Sequence, residues 1–206
     1  MYNIQSLNTG IVKYRLGDAI LLRNSAIGTA RGVLHPTFKG TIGYEYVSMN
    51  DTAGDIECMN RLIDKHIELH NYKLPEDDEV VVHLRIGDNG PPNRRRNKLV
   101  KDGEFDRLVN LIKETARGFS DRIVVVTAVH SVEGAGDSEY GIVKRLCSEI
   151  PVTIKSSPNI DEDFCYLARA KRLVVTKGNF SDLAGRCNPN YVVRLDGRDP
   201  LNHSAD

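Results

Sequence analysis

The sequence predicts an α/β protein built on a parallel, doubly wound, Rossmann-like sheet. Three observations carry that expectation. Glu79-Val-Val-Val-His83 and Ile123-Val-Val-Val-Thr127 are β-branched runs without polar interruption, as strands covered on both faces require. From residue 79 onward such runs alternate with segments whose apolar residues recur at helical spacing. The first run ends in a polar cluster with a glycine, His83-Leu-Arg-Ile-Gly-Asp88. A buried strand that ends this way is where open α/β sheets place their ligands.

Taken in order, Ile11–Tyr14 reads as a short strand that runs into Arg15-Leu-Gly-Asp18. A helix with Ile20, Leu21, Asn24 and Ile27 follows. A glycine turn between strand and helix leaves N–H groups at the helix N-terminus, where anions bind; the same place suits Asp18 as a helix cap. Gly32 and Pro36 end that element, and Val33–His35 and Thr41–Ser48 read as further short strands. Asn50–Asp55 is a loop and cap for a helix with Ile56, Met59, Leu62, Ile63 and Ile67 on one face. Pro75 and the acids after it break the chain before the central strand. These features divide the chain into a small N-terminal α/β half, residues 1–78, and a Rossmann-like half, residues 79–206.

The second half opens with strand Val80–Leu84 and a polar loop through Pro91-Pro92 to Lys101. A helix around Phe105, Leu108, Val109 and Ile112 leads to strand Ile123–Thr127. A glycine-rich loop precedes a helix around Ile142, Val143, Leu146 and Ile150, and Pro151–Ile154 is the third strand. Asp161-Glu-Asp163 opens a helix with Phe164, Leu167 and Ala168. Arg172–Thr176 is the fourth strand, Gly178-Asn-Phe-Ser181 opens a short helix, and Tyr191–Leu195 is the fifth strand.

Composition narrows the function classes. The 206 residues carry 28 basic and 28 acidic side chains, so a general nucleic-acid or membrane surface is not expected. Arg94-Arg95-Arg96 is a local basic run in a loop. Cys58, Cys147, Cys165 and Cys187 form no C-x-x-C pair, which argues against a zinc site or a disulfide framework and for reduced thiols in a cytoplasmic protein. No signal peptide or apolar run of membrane-spanning length is visible.

In a parallel sheet the strand carboxyl ends share one edge. That edge would collect His83, Arg85 and Asp88, then Thr127 and His130, then Thr176, Lys177, Gly178, Asn179 and Ser181. Arg85 with Asp88 is either a strand-end ion pair or part of a site. Asn179-Phe180-Ser181 sits at a strand–helix turn that suits a phosphate, or a helix cap. Arg85 and Lys177 offer positive charge to a diphosphate. Asp161-Glu-Asp163 has the D-x-D form that can hold a metal–diphosphate, but its place at a helix start favours a cap and dipole role. The chain lacks G-x-G-x-x-G after its first strand, H-E-x-x-H, a P-loop and G-x-S-x-G.

His83-Leu-Arg-Ile-Gly-Asp88 resembles the H-x-R-x-G/D motif of the fucosyltransferase superfamily, the protein O-fucosyltransferases in particular. Arg15-Leu-Gly-Asp18, followed by a helix and Arg31-Gly-Val-Leu-His-Pro36, is similar to that superfamily's N-terminal G-x-G-N-Q region. Ala170–Ser181 resembles its late strand-turn motif. The three fall in the family's order and span most of the chain. The resemblance implies a GT-B-like arrangement of two Rossmann-like halves, here with a reduced N-terminal half. It implies a donor such as GDP-fucose in the C-terminal half and no metal. Arg85 would hold the β-phosphate, His83 would shape the nucleotide pocket, and Phe180 and Ser181 would match the base-and-phosphate turn. Gly17, Asp88, Thr176, Lys177 and Asn179 complete the expected donor set. Two positions depart from the family. Its Thr-Asp after the second strand is here Thr127-Ala-Val-His130, and the Asn of its first motif is Asp18.

The function expected is an inverting, metal-independent glycosyltransferase without a further cofactor. It would move a sugar, with a 6-deoxyhexose such as fucose favoured, from a nucleoside-diphosphate donor to a hydroxyl of a glycan or glycoprotein. Arg85 is the electrophilic residue and Asp18 the base. The alternative is a non-catalytic nucleotide- or sugar-binding module, or one domain of a larger protein.

Overall fold

A computed structural model describes Leu16 and residues 56–85, 103–127 and 136–197. The chain enters with α1 (Ile56–His70) and β1 (Glu79–His83). Then come α2 (Glu104–Ala116), β2 (Arg122–Val126), α3 (Gly136–Glu149) and β3 (Thr153–Lys155). The chain continues through α4 (Ile160–Arg169), β4 (Arg172–Val175), α5 (Asn179–Cys187) and β5 (Tyr191–Arg194). The proposed elements at 11–14, 20–31, 33–35 and 41–48 lie outside the described residues. Leu16, placed by the sequence in the turn before a helix, is itself helical.

The five strands form one parallel sheet in the order β3-β2-β1-β4-β5. Val80, Val81 and Val82 of the central strand are fully buried because helices cover both faces. On one face Val80, Val82, Val125 and Val174 pack with Phe105, Leu108, Ile112 of α2 and Leu146 of α3. On the other, Val81, Val126, Leu173 and Val175 pack with Met59 and Ile63 of α1, Phe164 and Leu167 of α4, and Phe180 and Leu183 of α5. Leu16 is buried in this second cluster. Helix α1, assigned from sequence to the N-terminal half, thus shares a core with the sheet. Each fully buried aliphatic side chain contributes roughly 1.5–3 kcal/mol.

Parallel pairing aligns His83 with Val126 on one side and with Val175 on the other. Val126 aligns with Lys155, and Val175 with Arg194. The third strand starts at Thr153 rather than Pro151, since proline has no N–H for the ladder. The chain winds outward from β1 through β2 to β3, then returns to the other side of β1 for β4 and β5. The reversal lies between β1 and β4, and a crevice forms outside the strand ends at such a point.

Candidate functional site

The two strands that flank the reversal deliver the predicted residues together. Beyond β1 the chain reaches Arg85, and beyond β4 it reaches Thr176, Lys177 and Gly178. Thr176 ties the two ends: its hydroxyl donates to the His83 carbonyl at 3.0 Å and accepts from the Arg85 N–H at 3.2 Å. Gly178 has φ 111°, a conformation that side-chain-bearing residues rarely adopt. Its bare α-carbon lets the Arg85 side chain lie against it. A Cβ there would collide with Arg85 Nη1 and meet its Cδ at 3.0 Å. A guanidinium is therefore seated on a glycine turn at the N-terminus of α5, where the dipole and first N–H groups favour anions.

The turn is capped without a side-chain hydrogen bond. Gly178 is the N-cap of α5 and supplies no side-chain bond. Neither Asn179 nor Ser181 caps the helix; Asn179 is its first residue, and the Ser181 hydroxyl donates back to the Gly178 carbonyl at 3.2 Å. Ser181 is fully buried. Phe180 is buried with its ring 5.9 Å from the His83 ring and 5.4 Å from Phe164. Burial, reinforced by the Arg85 charge, lowers the His83 pKa to about 4, so its imidazole is neutral at physiological pH. Its Nδ1 is buried and has no hydrogen-bond partner among the described residues, and the same holds for the Thr127 hydroxyl beyond β2.

Lys177 was expected to face a diphosphate. Its Nζ contacts both carboxylate oxygens of Glu104, at 2.5 and 2.8 Å. Glu104 begins α2, just after Gly103 in the left-handed conformation. Sequence reasoning missed Glu104 because its partner is 73 residues away. The only local signal is an acid in the first turn of a helix that must start at the same sheet edge.

Of the acids in Asp161-Glu-Asp163, Asp161 has partners of its own, and Glu162 and Asp163 share Lys155. Asn159 caps α4, accepting from the Asp161 and Glu162 N–H groups. The buried Asp161 carboxylate accepts from the Leu16 N–H at 3.1 Å and lies 4.0 Å from His66 Nε2. The Tyr72 hydroxyl accepts from Asn159 Nδ2 at 2.9 Å and lies 3.3 Å from His66 Nε2. Glu162 pairs with Lys155 at 2.8 Å and accepts from the Ser157 hydroxyl at 3.1 Å. Asp163 lies 3.7 Å from Lys155, and burial raises its pKa to about 6. The cap expected of these acids is made by Asn159, and the acids sit in the first turn of α4. Burial also pushes the Cys165 thiol up to about 12, which removes it as a nucleophile at physiological pH.

Gly17, Asp18, Asp88 and His130 lie outside the described residues. Of the expected set, the structure brings together His83, Arg85, Thr176, Lys177, Asn179, Phe180 and Ser181 around the β1–β4 reversal. No protein-family model matches the chain, and no curated protein or solved structure matches it. Among the described residues no helix is long and apolar enough to cross a membrane.

Proposed function

We propose that the chain is an inverting glycosyltransferase that works without a metal. It moves a sugar, fucose or another 6-deoxyhexose by preference, from a nucleoside-diphosphate donor to a hydroxyl of a glycan or protein. The observation that carries this reading is Arg85 lying on Gly178 at the β1–β4 reversal. A fixed guanidinium beside a helix N-terminus favours the negative charge that builds on a departing diphosphate. Phe180 and the neutral His83 ring line the same edge and suit a nucleoside. The base is assigned to Asp18 on sequence grounds.

The experiment is to incubate the protein with GDP-fucose and a set of glycan and peptide acceptors in EDTA, and to measure GDP release. A parallel melting series with GDP, UDP and their sugars identifies the donor. Acceptor-dependent release in EDTA supports the reading. Release that requires manganese overturns the metal-free mechanism. A donor that raises the melting temperature yet releases nothing with any acceptor makes the chain a binding module.

A further inference from the structure

Lys177 and Glu104 join the end of β4 to the start of α2. Lys177 is about half exposed, so water would satisfy it without a carboxylate. Glu104 is much less exposed and holds the ammonium in two contacts beside the Arg85–Gly178 seat. The result is an acid placed at the edge where a polyanion is to bind, taking up the charge of one of its cations. For a site selected only to hold phosphate as tightly as possible, that acid works against binding.

The acid makes sense if the site must distinguish two polyanions. We propose that Glu104 is a specificity-determining residue that weakens retention of the nucleoside-diphosphate product relative to the nucleotide-sugar donor. This rests on the nucleotide-sugar reading of the Arg85 site. In a nucleotide sugar both phosphates are esterified and carry about one charge each. Cleavage of the sugar–oxygen bond leaves the electron pair on the terminal phosphate, which near neutral pH holds most of an additional charge, its second pKa being about 6. Donor and product share the base, the ribose and the diphosphate; they differ here in charge. A carboxylate on Lys177 lowers the local positive potential, and the ligand with more negative charge loses more. Product leaves faster, and the donor keeps its contacts with Arg85 and the glycine turn.

The test is calorimetry on wild type, Glu104→Gln, Lys177→Met and the double variant, each with GDP and GDP-fucose, and with UDP and UDP-glucose. Melting temperatures establish that each variant is folded. In low salt, Glu104→Gln should tighten the diphosphate by about two- to fourfold and the nucleotide sugar by less than about twofold. The gain should persist in the Lys177→Met background, because the carboxylate repels the terminal phosphate with or without its ammonium partner. It should vanish near pH 5, where the terminal phosphate has regained its proton. An unchanged ratio of the two affinities, equal tightening of both, or weakening of both overturns the proposal and leaves the site intact. If wild type binds neither ligand of either pair, or Arg85→Ala binds them like wild type, the site reading fails and takes the proposal with it.

Discussion

Replacing Gly178 by alanine separates two effects that the structure places on one atom. The first is backbone strain. At φ 111° and ψ 142° an L-residue is in a region essentially reserved for glycine, at a cost of about 1–3 kcal/mol. The second is collision. The new methyl would occupy the space of Arg85 Nη1, so the guanidinium must leave its seat. Together they should lower stability by about 2–4 kcal/mol. Urea unfolding of wild type, Gly178→Ala, Arg85→Ala and the double variant apportions the loss. In the double variant the collision is gone and only the strain remains. Its loss should therefore fall short of the sum of the two singles by about 1 kcal/mol or more. A Gly178→Ala loss within about 0.5 kcal/mol of zero would refute the strained turn. Strict additivity would refute the contact between Arg85 and the glycine.

Three other outcomes follow from the same geometry. Thr176→Val keeps the shape but removes both the bond to the His83 carbonyl and the bond from the Arg85 N–H, so stability should drop by about 1–3 kcal/mol in urea unfolding. Asp163 has a folded-state pKa raised to about 6, so the folded protein binds its proton more tightly than the unfolded chain does. Its contribution to stability therefore falls as pH rises from about 4 through 6, and Asp163→Asn should flatten that slope and stabilise the protein at neutral pH by about 1 kcal/mol, measured by melting across pH. Arg85→Ala should weaken nucleoside-diphosphate binding about tenfold or more in calorimetry, with Arg85→Lys only partly restoring it, because a point charge cannot replace a two-pronged donor; equal affinities in all three proteins would remove Arg85 from the site.

Much of the fold was legible in the residues. Val80–Val82 and Ile123–Val126 announce doubly covered strands because a sheet with helices on both faces leaves no side for a polar residue. Phe105, Leu108, Val109 and Ile112 announce α2 because an apolar stripe recurs every 3–4 residues, and all four are buried. The start of α4 at Asp161-Glu-Asp163 was legible from its acids, although the cap itself is Asn159. These are signals written within a few residues of where they act. The gathering of His83, Arg85 and the Thr176–Ser181 turn at one edge was also legible, since parallel strands must present their carboxyl ends together.

Tertiary structure alone decided which of those residues touch. Strand order put β4 beside β1, and this seated Arg85 on Gly178 across more than 90 intervening positions. It turned Lys177 onto Glu104, a partner that no spacing rule links to it. It also separated Asp161 from Glu162 and Asp163, because successive helical residues point about 100° apart. Asp161 therefore meets Leu16, 145 positions away, and Glu162 meets Lys155. Periodicity reports which face a residue occupies, a property of its own neighbourhood. A charged side chain finds its partner only when packing brings two distant elements within a few ångströms, and that choice is made by strand order and helix placement.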